Sequence, residues 1–102
     1  MKLGVYCIHD KKAQLFKGPF TCLNEALAQR QFAIAVNTGN SELNQFPEDF
    51  DLYCLADFND EDGRFNNREV PELIVNGLSV LMQPETAQPT LEVVNNGQKP
   101  PQ

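Results

Sequence analysis

The chain has no tryptophan and a single histidine, His9. That histidine stands two residues from Cys7 and next to Asp10, the minimum of a thiol nucleophile. No third orienting group or oxyanion donor pattern accompanies it, so no catalytic residue is assigned and no enzyme is expected. Its three cysteines, Cys7, Cys22 and Cys54, are an odd number without C-x-x-C spacing. Neither a disulfide framework nor a zinc site is supported, and the thiols are expected to be reduced and mostly buried. No window approaches the ~20 apolar residues of a membrane span, and MKLGVYCIHDKK lacks the apolar core of a secretory signal. A cytosolic protein without membrane contact is expected. There is no glycine-rich phosphate loop, and the acidic stretch Asp57–Asp62 departs from the calcium-loop pattern at its fifth and sixth positions and again at Arg68, so neither cofactor nor metal is expected.

What the chain has is acid, unevenly placed. The net charge is −6 over 102 residues. Residues 1–30 balance at +3 and residues 31–81 at −8, so the two parts of the domain have opposite sign. Such asymmetry suits solubility, head-to-tail association, or a basic face for an anionic partner.

Hydrophobic spacing gives the elements. KLGVYCIHD alternates with the period of a strand, and AQLFKGPF follows a polar turn as a weaker strand, which Pro19 assigns to a sheet edge. Asn24 is a helix N-cap, Glu25 favours the positive end of the helix dipole, and ALAQRQFAIAV continues without glycine or proline. At 100° per residue, Leu23, Ala26, Leu27, Ala33 and Ile34 share one face, with Ala28, Phe32 and Val36 elsewhere. Such a helix is apolar on most sides and should be buried by more than one neighbour. Gly39 is available as its left-handed stop.

Eight acids and no base lie between Glu42 and Asp62. Within that stretch Phe50, Leu52, Cys54, Ala56 and Phe58 alternate with Asp49, Asp51, Tyr53, Leu55, Asp57 and Asn59, which predicts an apolar face turned inward and the acids turned to water. Asp62-Gly63 closes a hairpin, and Arg64 or Arg68 can lie across from Asp57 or Asp51. Pro71 should interrupt the return strand, and the apolar run that follows, split at Asn76-Gly77, reads as a last strand with a bend or as a short helix; Ile74, Val75 and Val80 favour a final strand near 73–81. Residues 82–102 hold four of the seven prolines and predict a flexible tail, in which Thr90–Val94 could add a strand to a sheet edge.

The expected architecture is α+β. One domain over residues 1–81 has two hairpins and a final strand in a small antiparallel sheet with one packed helix, or an OB-like half-barrel if the sheet curls. Unpaired sheet edges favour a homodimer. Lys11, Lys12, Lys17, Arg30 and Tyr6 are the candidate nucleic-acid-binding residues, because single-strand binders combine cations with aromatic platforms. Lys2, Phe16 and Phe20 are further ingredients of that reading, although rings such as Phe16 and Phe20 are more often core than platform.

The opening MKLGVYCIHDKK, the helix NEALAQRQFAIAVN and the block FPEDFDLYCLADFNDEDGRF together resemble the small nonstructural protein of gokushoviruses, single-stranded-DNA bacteriophages of the Microviridae, over about residues 1–81. The resemblance implies a nonstructural, non-enzymatic protein of the infected bacterium's cytoplasm. It also implies a role in viral DNA synthesis, such as the switch to single-strand production or handling of the displaced strand. It assigns no functional residue. The partners it leaves in view are single-stranded DNA, or a host or viral replication protein reached by a dimeric interaction module through the acidic hairpin or the tail.

Overall fold

The computed structural model describes residues 1–82; the proline-rich tail and Thr90–Val94 lie outside them. Four strands form one antiparallel sheet: β1 (Lys2–Asp10), β2 (Leu15–Cys22), β3 (Phe50–Asn59) and β4 (Arg64–Asn76), in the order β2-β1-β3-β4. The sheet is open, with β2 and β4 at its edges. Helix α1 (Glu25–Asn37) joins β2 to β3 through the short helix α2 (Glu42–Gln45) and a 3-10 turn at Pro47–Asp49. One further helical turn, α3 (Gly77–Val80), follows β4.

Local chemistry sets the ends of these elements. The Asn24 side chain accepts the Leu27 N–H at 3.0 Å, an N-cap worth about 1 kcal/mol. At the other end of α1 the left-handed residue is Asn40, φ 68°, rather than Gly39, and the Thr38 hydroxyl donates to the Ile34 carbonyl at 2.6 Å. In the β3–β4 hairpin Gly63 takes φ 73°, while Asn59 and Asp62 side chains accept the N–H groups of Glu61 and Arg64.

The core lies between α1 and one face of the sheet. Tyr6, Cys22, Phe50, Leu52 and Cys54 pack against Ala28, Phe32 and Val36. The buried row of α1 is therefore the i, i+4, i+8 set that carries the phenyl ring of Phe32. The burial on most sides expected from spacing is not found: Leu27 packs partly against the core, but Leu23 and Ile34 are 55% and 61% exposed. The largest apolar group sets the rotation of the helix, and Ala28 lets its first turns approach the strands.

Strand β3 departs from simple alternation in one place. Tyr6 pairs with Cys54 and Val5 with Ala56, so Leu55 is an extra residue without a β1 partner. Directly paired residues share a face, and a bulge of one residue reverses the parity beyond it. Phe50, Leu52 and Cys54 thus face the helix, whereas Ala56 and Phe58 join Val5 and Leu3 on the opposite face. The single inward face expected for Phe50 through Phe58 is split in two.

Two acids expected at the wet face are also placed differently. Asp49 belongs to the 3-10 turn, and Asp51 is buried, 6% exposed, because Asn76 and Lys11 satisfy its carboxylate. Arg68, as expected, lies 3.3 Å from Asp57.

The return strand runs through Pro71 without ending. Residues 68–71 lie between the paired positions Asn67 and Glu72, on an edge where proline forfeits no ladder bond. The final strand expected near 73–81 is instead the end of β4 followed by α3. Asn76 caps that turn by accepting the Leu78 N–H at 3.0 Å.

Gly77 makes the turn possible, since a Cβ there would collide with the Pro47 carbonyl oxygen, whereas one at Gly39 would meet nothing within 4 Å. Gly77→Ala should lower unfolding free energy by about 1–3 kcal/mol in urea titrations, as overpacking does, while Gly39→Ala changes it by less than ~1 kcal/mol. Equal effects at the two positions would contradict this packing.

Candidate functional site

The second face of the sheet has no helix over it. At its ladder positions stand Leu3, Val5, Cys7 and His9 of β1, Phe16 of β2, Asp51, Tyr53, Ala56 and Phe58 of β3, and Phe65 and Leu73 of β4. The rings gather in two groups. His9 and Phe16 have centroids 4.4 Å apart, tilted by 32°. Tyr53 meets both edge-on, 5.8 Å from His9 and 5.4 Å from Phe16. Phe58 and Phe65 form the second group, with centroids 5.0 Å apart. Such pairs are worth about 0.5–1.5 kcal/mol beyond the area they bury. Between the groups Val5, Cys7 and Ala56 form a closed apolar floor, all buried, while Phe16 and Phe65 remain 44% and 61% exposed.

Among these positions Asp51 is the one carboxylate. Its Oδ1 accepts from Asn76 Nδ2 at 2.7 Å, and its Oδ2 lies 3.8 Å from Lys11 Nζ. Asn76 Nδ2 also donates to the carbonyls of Glu48 and Phe50, tying the end of β4 to the start of β3. His9 Nδ1 is buried without a hydrogen-bond partner. Burial pushes the Cys7 thiol up from its ordinary value, away from the thiolate that a nucleophile requires. The Cys54 thiol is raised by the same cause.

The five residues selected from sequence are not brought together. Tyr6 is 4% exposed and its ring belongs to the helix-side core, so it offers no base a platform; burial also raises its phenol above the usual value. Lys17 lies on the helix side, 3.7 Å from Asp10, 3.4 Å from Glu42 and 5.7 Å over the Phe50 ring. Lys12 lines an open cavity of about 340 Å³ that also holds Asp10, Glu42 and Asp49, an acidic setting for any phosphate. Arg30 is exposed on α1, away from the other four. Lys11 alone reaches the open face.

Sequence reasoning does not bring His9, Tyr53, Phe58 and Phe65 to a common face, and it weighs Phe16 more as core than as platform, whereas Phe16 is 44% exposed. The pairing of His9 with Phe16 across the β1–β2 turn was the one signal available.

The profile of the family described as Phage ORF5 protein matches residues 3–80, the whole sheet and its helices. The chain belongs to this phage protein family. No curated protein and no solved structure matches it. Within this family member, no helix among the described residues is long and apolar enough to cross a membrane.

Asp10 closes the turn that carries Lys11 and Lys12. The Ala13 N–H bond to its carboxylate, with the Lys12 N–H and the Lys17 ammonium, holds Asp10 below its ordinary 3.8. A depressed carboxylate stabilises the fold above its unfolded pKa and loses that contribution as pH falls through its folded value. Asp10→Asn should therefore unfold at lower urea than the parent at pH ~7, and the difference should vanish as pH drops well below 3.8. A difference that stays constant with pH would contradict the assignment.

Proposed function

We propose that this phage protein is a non-enzymatic accessory of viral DNA synthesis in the host cytoplasm, and that it holds single-stranded DNA against the open face of its sheet. One observation carries the reading: an acidic domain keeps a whole sheet face almost free of acid and places the rings of His9, Phe16 and Tyr53 together on it. Bases stack on such rings irrespective of sequence, at about 1–3 kcal/mol each. The acids that would repel phosphates lie elsewhere or are already engaged. Asp57 is held by Arg68, Asp10 and Glu42 by Lys17, and Asp51 by Asn76 and Lys11. The resemblance to gokushovirus nonstructural proteins, and membership of a phage family, agree with a place in DNA synthesis.

Lys11 supplies the phosphate contact at this face. Its partner Asp51 is 3.8 Å away and the lysine side chain is half exposed, so a phosphate can share the ammonium. A second reading is favoured by the same scarcity of charge: a second copy of the chain could cover the face. The result would be a homodimeric interaction module that presents its acidic hairpin, Asp60 to Asp62, to a host or viral replication protein.

Anisotropy titrations with single- and double-stranded oligonucleotides separate the two. Single strands should bind at ~50 mM salt, with a log–log salt slope near −0.7 per phosphate neutralised. Lys11→Ala should flatten that slope by about 0.7, and Phe16→Ala should weaken binding by about 1–3 kcal/mol. Absence of binding, with sedimentation showing a stable two-chain species, would replace the first reading by the second.

A further inference from the structure

The two ring groups are separated along the strands by a distance the ladder determines. Tyr53 pairs with Cys7 and Phe58 with Leu3. Four β1 residues at ~3.3 Å each place the groups ~13 Å apart. That span equals about four stacking steps of ~3.4 Å, so about five bases reach from one group to the other. Between them lie Val5, Cys7 and Ala56, apolar and buried.

Charge stands at one end of this strip. Lys11 stands beside the His9–Phe16–Tyr53 group, with its partner Asp51 directly paired to His9. At the other end Lys2 and Arg64 both pair with Asn59, one place beyond Leu3, Phe58 and Phe65, and so belong to the helix side of the sheet; the Phe58–Phe65 group has no ladder cation beside it among the described residues. Rings in two groups along the strands, with a cation at one end, suit a strand lying along β1 and β3. A point-like ligand would use one group only.

We infer that the open face is a two-station site, with His9, Phe16 and Tyr53 stacking one base, Phe58 and Phe65 stacking another, and about five nucleotides needed to occupy both. This rests on the single-strand reading above and adds a footprint and a direction to it. The phosphate beside the first station falls to Lys11.

The test is a length series of oligodeoxynucleotides, two to eight residues long, titrated into the full chain. Binding is followed by tyrosine emission, which Tyr53 reports from the surface in a chain without tryptophan. Affinity should rise by about tenfold between the three- and five-residue strands as the second station engages. Phe65→Ala, at an exposed position, should abolish that step while leaving dinucleotide affinity unchanged. Phe16→Ala should weaken every length, and Ile34→Ala, exposed on α1, should change none.

A smooth rise with length, or an eight-residue strand indifferent to Phe65→Ala but weakened by Phe16→Ala, would leave one station and overturn the inference without touching the single-strand reading. If no oligomer binds, that reading falls with it. Should Phe16→Ala and Phe65→Ala each dissociate a two-chain species in sedimentation, the strip is the contact between copies.

Discussion

One unpaired residue, Leu55, governs what each face of this sheet presents. Without it, the run from Phe50 to Phe58 would send every second side chain to the helix, and Ala56 and Phe58 would crowd the ground occupied by α1. With it, Phe50, Leu52 and Cys54 close the helix-side core, while Ala56 and Phe58 cross over to meet Val5, Leu3 and Phe65. The bulge also moves Asp57 to the side where Arg68 and Glu72 await it. An apolar strand therefore supplies two faces in sequence, and the second has no helix to cover it. The family relationship spans all of these elements.

The acidic character of the chain is handled locally. Each strand or turn carboxylate that approaches the core finds a donor within a few residues or across one strand: Asp10 the turn N–H groups, Asp51 the amide of Asn76, Asp57 the guanidinium of Arg68. The remaining excess gathers at the hairpin tip, where Asp60 and Glu61 meet the amino terminus of Met1 at 2.7 and 3.2 Å. Exposed pairs of this kind contribute little stability, about 0–1 kcal/mol each. Their effect is on the map of the surface, in which Lys11 and Lys17 are drawn to carboxylates and the open sheet face is left nearly uncharged.

Much of this was legible in the residues. The hairpins, the N-cap at Asn24, the glycine of the β3–β4 turn, the edge position of Pro19 and the α+β class all follow from period, capping and turn chemistry, which are local. The rotation of α1 was not legible, because spacing alone weighs Leu23 and Ile34 equally with Phe32, and only the sheet opposite decides which row packs. Nor was the bulge at Leu55, since it depends on the register of β1 rather than on any glycine in β3. The misplaced candidates share that origin. Tyr6 reads as an aromatic among lysines, but its partner Cys54 lies before the bulge and so carries it into the core. Tyr53 reads as the polar side of an acidic strand, yet its partner Cys7 places it beside His9 and Phe16.

The claim at the centre of this account is that the functional surface is the uncovered sheet face, and aromatic proton spectra recorded while single-stranded DNA is added test it most directly. The rings of His9, Phe16, Tyr53, Phe58 and Phe65 should shift with saturation, while those of Phe32 and Phe50 stay fixed. Perturbations confined to Arg30, Lys12 and Lys17, with the five open-face rings unmoved, would contradict it.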